Sequence, residues 1–340
     1  MKLLLIGPRL NQDNLSVVGG AITLFENLIY QLDSHNISYS VIDTNKHNYP
    51  NRWHAYFSIF LQIILKQKSS THLSLHSSRD YLIFGPLLIL IGKIFSKHVS
   101  LRKFGGEASR IYQESHYFKK KFIHMIYKHV DTLFFELHSL VNFFQPLNPY
   151  IFWFPNVREQ TITPLLPRSY HKKFVFISSV KHQKGINEII QASKLLPDTY
   201  SIDIYGPIDD NNYSKEYFRQ EQISYKDILS PQEVLATLNT YDVLLLPTYY
   251  KGEGYPGIII EAYSLGIPVI STNLQGIMEI VDHTQTGFLI EPKSVDQLLE
   301  KIYAFTSQNY PIMSQYAYRK FNDFNAETQT KQFLIHIDYA

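Results

Sequence analysis

Short apolar runs alternate along the chain with stretches in which apolar side chains recur every three or four positions. Residues 3–6, 38–43, 72–77, 99–103, 132–135 and 150–154 have the first character and predict strands. Residues 21–32, a segment around 55–66, 81–95 and 117–129 have the second and predict helices between them. Such alternation predicts parallel βαβ units. The pattern loosens near Pro155 and Asn156 into the polar, proline-bearing stretch VREQTITPLLPRSYHKK, which reads as a linker. The same grammar then restarts, with strands at 174–177, 201–205, 222–225, 243–246, 268–271 and 287–290. Helices are expected at 185–195, 231–238, 256–265 and 295–306, with a last helical region over 313–335. The expected class is α/β, as two doubly wound, Rossmann-like lobes in series. Ligands of open parallel sheets sit beyond the carboxyl ends of the strands, so two such lobes face to face would enclose a cleft.

Composition agrees with a large globular chain. Its 340 residues are 45% hydrophobic and 18% charged, about twice one domain's length. The chain contains no cysteine, which excludes a disulfide scaffold and thiol chemistry and is compatible with a reducing cytoplasm. The opening Lys2-Leu-Leu-Leu-Ile6 reads as a buried strand, so a secretory leader is not expected. The most apolar run, 81–95, contains Gly85, Pro86, Gly92 and Lys93 and falls short of the ~20 residues of a spanning helix.

Charge is uneven. Residues 1–150 hold 16 Lys and Arg against 9 Asp and Glu, a net +7, and the remainder 16 against 21, a net −5. A basic first half points to an anionic neighbour such as a membrane surface or a phosphate-bearing lipid. Two segments, 52–68 and 116–128, combine cations with aromatic and aliphatic residues at helical spacing. They fit helices lying on an anionic membrane, or core-facing helices with a solvated basic face. Nucleic acid fits less well, because no binding motif accompanies the basic half.

Candidate chemistry concentrates in GEGYPGIIIEAYSLGIP, 252–268, where Glu253 and Glu261 are separated by seven residues. A strand at 243–246 precedes this loop, its glycines allow close approach to a ligand, and Pro256 suits the first turn of the following helix. The start of that helix favours an anion such as phosphate. Glu261, among isoleucines, needs a partner, and the vicinal hydroxyls of a ribose would serve. Glu253, at the mouth, would meet hydroxyls of whatever the phosphate carries. The plainer alternative is a helix-start acid together with a core-edge acid paired with a lysine.

On these residues the chain resembles the retaining GT-B glycosyltransferases that carry an E-x7-E motif (family 4, group 1 type), among them bacterial capsule and lipopolysaccharide transferases. The resemblance rests on FVFISSVKHQKGINEIIQA, LLLPTYYKGEGYPGIIIEAYSLGIPVIST and GIMEIVDHTQTGFLIEP, in that order, and more loosely on VVGGAITLFENLIYQL and on FPNV at 154–157. It implies a metal-independent transferase without a cofactor, whose co-substrate is a nucleoside-diphosphate sugar. It implies an acceptor-side domain over 1–160, with a C-terminal helix at about 318–340 packing back on it, and a nucleotide-sugar domain over 170–315. Glu261 is then expected at the ribose, Glu253 at the donor sugar, and the backbone of Gly254, Tyr255, Pro256 and Gly257 at sugar and pyrophosphate. Lys184 is expected to neutralise the diphosphate, with Lys181 nearby and the Gly19-Gly20 loop at the cleft. The base would lie between 205–207 and 225–228. Arg102, Lys103 and Glu107 are expected contacts with acceptor or donor.

Two departures stand out. The family's arginine five residues before the lysine is Ser179 here, with Lys181, Lys172 and Lys173 as candidate substitutes. The 101–107 loop lacks the histidine many members carry. The implied function is sugar transfer to a surface-polysaccharide or lipid-linked (polyprenyl) glycan, in the cytoplasm with peripheral contact at the inner face of the cell membrane. A non-catalytic partner subunit and a GT-B nucleotide-sugar epimerase stay open. A dinucleotide enzyme is disfavoured, since no G-x-G-x-x-G follows the first strand.

Overall fold

The computed structural model describes residues 2–11, 20–221, 223–250 and 252–338. It resolves into two compact units, residues 1–157 with 326–340 and residues 158–325. Each contains a six-stranded parallel sheet.

In the first unit the strands are β1 (Leu3–Gly7), β2 (Tyr39–Asp43), β3 (His72–Ser77), β4 (His98–Lys103), β5 (Thr132–Phe135) and β6 (Ile151–Trp153), in spatial order β2-β1-β3-β4-β5-β6. The chain leaves β1 toward β2 and returns to β3 on its other side, so the sheet reverses direction between β1 and β3. The helices are α1 (Gly20–Ser34), α2 (Arg52–Lys66), α3 (Tyr81–Phe95), α4 (Ala108–Glu114), α5 (Tyr117–His129) and α6 (His138–Phe144). Leu24, Phe25 and Leu28 of α1 join Phe134, Phe154, Phe333 and Ile337 in one buried cluster. Phe333 stacks on Phe154 at 5.2 Å between ring centroids.

The second unit continues with β7 (Lys173–Ile177), β8 (Ser201–Tyr205), β9 (Ser224–Tyr225), β10 (Val243–Leu246), β11 (Val269–Thr272) and β12 (Gly287–Ile290). Their order is β12-β11-β10-β7-β8-β9, which reverses direction between β7 and β10. Its helices are α7 (Ile186–Leu195), α8 (Lys215–Gln220), α9 (Pro231–Leu238), α10 (Gly257–Ser264), α11 (Gln275–Ile280), α12 (Val295–Tyr303) and α13 (Tyr310–Lys320). The polar stretch after Val157 is held to this unit by Arg168, whose guanidinium donates to Asn239 Oδ1 at 2.6 Å and to the carbonyls of Asn239 and Tyr241 at 2.8 and 2.9 Å.

The elements differ from expectation in three respects. The helical region expected over 313–335 is two helices, because α13 ends at Lys320, a 3₁₀ turn spans Phe321–Phe324, and α14 (Ala326–Asp338) follows an extended Asn325. Phe321 and Phe324 are buried, and the intervening Asn and Asp favour a turn over a continuous helix. The strand expected at 222–225 is Ser224–Tyr225, with Gln222 outside the described residues. Helices α4, α6, α8 and α11 have six or seven residues, too few to show a helical period.

The first sheet also contains a polar ladder. His72, Ser74 and His76 share one face of β3 and are buried. His72 Nε2 lies 3.1 Å from Ser100 Oγ, Ser100 donates to Ser74 at 2.8 Å, and Ser74 Oγ lies 2.9 Å from His76 Nε2. The rings of His72 and His98 stack at 4.4 Å. Burial, and then the neighbouring His98, push the His72 imidazole down to about 3, and burial holds His76 well below its ordinary value. These histidines stay neutral in the folded chain while an unfolded chain takes up a proton below about pH 6.5, so stability falls as pH drops through that value toward 3. Replacing His72 by Gln should flatten the dependence of unfolding free energy on pH between 6.5 and 4 by up to about 1.4 kcal/mol per pH unit. Denaturant titrations of both proteins across that range measure the slope, and equal slopes would show that His72 titrates freely.

Candidate functional site

The candidate site lies at the carboxyl edge of the second sheet, where the strand order reverses between β7 and β10. Open parallel sheets bind ligands at such a crevice. A pocket of about 290 Å³ is lined there by Ile177 and Ser178 from the end of β7, Leu246 from β10, and Pro256, Gly257 and Ile258 from the start of α10. Its charged lining consists of Lys184, Glu253, Glu261 and Arg158. A larger pocket, about 630 Å³, is lined by the 163–173 stretch with Asn239, Thr240 and Asp242. It lies at the opposite edge of the same sheet, which in parallel sheets is not the ligand edge, and its arginine, Arg168, is already engaged.

Two ion pairs line the smaller pocket. Lys184 Nζ lies 2.5 Å from Glu253 Oε2, and Arg158 Nε lies 2.5 Å from Glu261 Oε1. Side-chain exposure is 17% and 12% in the first pair and 18% and 20% in the second, so both are mostly withdrawn from water yet reachable from the pocket. The plainer alternative is met in part: the core-edge Glu261 is paired, but with an arginine, and the lysine's partner is Glu253.

Local sequence explains the first pair. A 3₁₀ turn over His182–Lys184 ends at Gly185, whose φ of 79° lies in the left-handed region. A Cβ at Gly185 would lie 2.3 Å from the Pro247 carbonyl oxygen, so only glycine lets this turn press against the end of β10. Gln183 O then accepts from the Tyr249 amide at 2.9 Å and from Thr248 Oγ1 at 3.2 Å, which joins the two loops carrying Lys184 and Glu253. Thr248 Oγ1 also lies 3.3 Å from Glu253 Oε2.

The second pair depends on close approach. A Cβ at Gly257 would lie 1.7 Å from Arg158 Nη2, so glycine at the first turn of α10 leaves the space the guanidinium occupies. Arg158 begins the second unit, and its amide donates to Phe324 O at 3.0 Å. Sequence reasoning missed Arg158, which stands 103 residues before its partner and directly after the FPNV segment. That segment was the one available signal.

The remaining expected residues are distributed as follows. Tyr255 is buried, its hydroxyl donating to Glu279 at 2.7 Å and its ring edge-on to Phe324 at 5.6 Å, so it anchors the loop from below. Gly254 packs its carbonyl against α11, 2.7 Å from where a Cβ on Gly276 would stand. Lys181 pairs with Asp209 at 3.2 Å and does not line the pocket. Ser179 donates to the same carboxylate at 2.7 Å, and this bond, then Lys181, lowers the Asp209 pKa. Lys172 lies over the Tyr200 ring and Lys173 begins β7, both at the far edge of the sheet from the pocket. None of the three lysines proposed to replace the arginine at position 179 lines the pocket. The two loops expected to hold a base are tied together, Gly206 N donating to Asp227 O at 3.1 Å and Tyr225 Oη to Gly206 O at 2.8 Å.

In the first unit, Gly20 is the exposed first residue of α1, while Gly19 lies outside the described residues. Arg102 and Lys103 are buried, and neither presents its charge at the surface. Arg102 lies 3.5 Å from the centre of the Phe154 ring and donates to Pro155 O at 2.7 Å, and burial lowers its pKa to about 9. Lys103 donates to Phe104 O at 2.5 Å, and burial lowers it to about 8. Glu107 pairs with Arg110 on α4. The reversal between β1 and β3 holds another pocket, about 310 Å³, lined by Pro8, Thr44, Lys46, His47, His76 and Arg79 among others. Among the described residues no cluster of His, Asp and Glu is placed to hold a metal ion, and no helix is long and apolar enough to cross a membrane.

Residues 157–320 match the family model for glycosyl transferases group 1. The capsular polysaccharide biosynthesis glycosyltransferase CapM of Staphylococcus aureus is 28% identical over 152 residues, 40% of this chain and 39% of CapM. The putative colanic acid biosynthesis glycosyltransferase WcaL of Escherichia coli K12 is 25% identical over 175 residues, 47% of this chain and 43% of WcaL. The chain thus spans about two fifths of the length of these curated relatives. The crystal structure of Anabaena Alr3699/HepE in complex with UDP superposes with a TM-score of 0.76 over 100% of both chains at 12% identity. With the two parallel sheets, that likeness establishes a two-domain, Rossmann-like GT-B fold. The likeness to group 1 glycosyl transferases is thus carried by residues 157–320, about half of the chain.

Proposed function

We propose that the protein is a retaining, metal-independent glycosyltransferase. It moves a hexose or related sugar from a nucleoside diphosphate to a hydroxyl of a surface-polysaccharide or lipid-linked glycan. The observation that carries this reading is the pairing of Lys184 with Glu253 and of Arg158 with Glu261 around one pocket at the start of α10. The helix start favours phosphate, and the two carboxylates offer acceptors for ribose and sugar hydroxyls. Glu261 binds the ribose, Glu253 the donor sugar, and the backbone of Gly254 to Gly257 faces sugar and pyrophosphate.

In the reaction the bond between the anomeric carbon and the diphosphate oxygen breaks as the acceptor oxygen bonds to the same face of that carbon. The acceptor proton passes to an oxygen of the departing diphosphate. Negative charge grows on that group, and Lys184 with the first amides of α10 stabilises it where water is excluded. UDP is the first nucleotide to try, because Alr3699/HepE was crystallised with it. The acceptor belongs with the first unit, whose pocket at the β1/β3 reversal is the candidate place.

Thermal unfolding with UDP, GDP, ADP and their sugars tests the reading. A ligand at 100 times its Kd adds about 2.7 kcal/mol to the folded state. Lys184→Ala should lower kcat on a working substrate pair by about 100-fold or more while the protein stays folded. Full turnover in that variant would remove the leaving-group role. A second reading, a partner subunit without catalysis, is favoured by the serine at 179, and a folded chain that binds no nucleotide would establish it. An epimerase would form product from the donor alone.

We also propose contact with an anionic membrane through the first unit. Helix α2 buries Ala55, Ile59 and Ile63 but leaves Trp53 84% exposed, with Phe57, Phe60, Leu61 and Leu65 also exposed. Tyr56 of α2 meets Phe84 of α3 at 6.0 Å, and α3 packs on α5, where Tyr117 and Phe118 are exposed beside Lys119, Lys120 and Lys121. Aromatic residues interleaved with lysines suit a headgroup boundary, each cation near it contributing about 1 kcal/mol. Vesicles of phosphatidylglycerol and phosphatidylcholine at low salt should shift the fluorescence of Trp53 to the blue, an effect absent in Trp53→Phe and weakened by salt. Unchanged emission would mean that this face meets no membrane.

A further inference from the structure

The pocket's charges balance internally, two cations against two carboxylates. A nucleoside diphosphate brings at least two negative charges into it, and Lys184 alone leaves that excess uncompensated. Position 179 holds a serine committed to Asp209, Lys181 pairs with the same carboxylate, and Lys172 and Lys173 stand at the far edge of the sheet. Among the described residues lining the pocket, the second cation is Arg158.

The geometry points to Arg158 as the second diphosphate-binding residue, held in the absence of ligand by the carboxylate that later takes the ribose. This inference rests on the nucleotide-sugar reading above. Arg158 Nη2 occupies the space over Gly257 at the start of α10, where a phosphate would be favoured. Glu261 compensates that cation at 2.5 Å. Both groups need a partner, because a charge withdrawn from water is costly when left alone. A nucleoside diphosphate supplies both at once: its ribose hydroxyls donate to Glu261, and its phosphate oxygens accept from the guanidinium. A guanidinium suits this exchange, since its planar fork binds carboxylate and phosphate with the same bidentate geometry. The site therefore exchanges the Arg158–Glu261 pair most readily for a ligand that carries both groups, because a nucleoside or an inorganic diphosphate meets only one of the two side chains.

Competition binding to the whole protein tests this with UDP, uridine and inorganic pyrophosphate, or with GDP and guanosine, or ADP and adenosine, according to the nucleotide bound. Arg158→Ala should weaken UDP and pyrophosphate by about tenfold or more, while uridine, which meets a Glu261 already released, binds as well as before or better. Arg158→Lys should recover part of the loss. Glu261→Gln should act in the opposite sense, tightening pyrophosphate several-fold and weakening uridine. Equal losses for UDP and uridine in a folded Arg158→Ala protein would make Arg158 a structural residue and overturn the inference, with the nucleotide reading intact. Failure of the unmodified protein to bind any nucleotide would overturn the nucleotide reading, and this inference with it.

Discussion

Compensation of charge in a confined space is the constraint on which the site depends. Four ionised side chains converge at the carboxyl edge of the second sheet with less than a quarter of each exposed. None of them is tolerable there without an opposite charge or a set of hydrogen bonds. Two 2.5 Å pairs are the arrangement the chain adopts by itself. The proposed nucleotide site answers to the same constraint: a ligand with hydroxyls at one point and phosphates at another could take over both halves of each pair.

Everything around the pairs is devoted to bringing them together. The strands β7 and β10 are buried apolar runs, which fixes the sheet edge from which Lys184 and Glu253 emerge. Gly185 lets the lysine's turn contact the end of β10, and Gly257 leaves room for a guanidinium arriving from the start of the unit. Arg168 and the 3.0 Å bond between the Arg158 amide and Phe324 O hold the polar stretch that delivers Arg158. Gly185 and Gly257 thus serve the assembly of the charges.

Much of this was legible in the sequence. Apolar runs bounded by turn residues located the longer strands and helices, because burial on both faces of a parallel sheet leaves uninterrupted hydrophobic segments. Glu253 and Glu261 stand out through the glycines and proline around them, and Lys184 only through the resemblance to the glycosyltransferase family. Arg158 does not, because its contact with Glu261 spans 103 residues and its own segment is an ordinary polar linker. The ladder of His72, Ser74 and His76 was hidden for another reason: polar residues at alternate strand positions ordinarily face water, and here they satisfy one another and Ser100 inside the sheet. Arg102 and Lys103, expected as contacts with acceptor or donor, are turned inward by packing on Phe154 and bonds to main-chain carbonyls, which no local pattern signals. Helix α2 shows the converse, with aromatic residues at helical spacing that the fold leaves outside.

A crystal structure of the protein with bound nucleoside diphosphate is the measurement that addresses the account most directly. Ribose hydroxyls are expected within hydrogen-bond distance of Glu261, Lys184 and the Arg158 guanidinium on phosphate oxygens, and the phosphates at the first turn of α10. A nucleotide bound elsewhere, with Arg158 still on Glu261 and Lys184 still on Glu253, would contradict it.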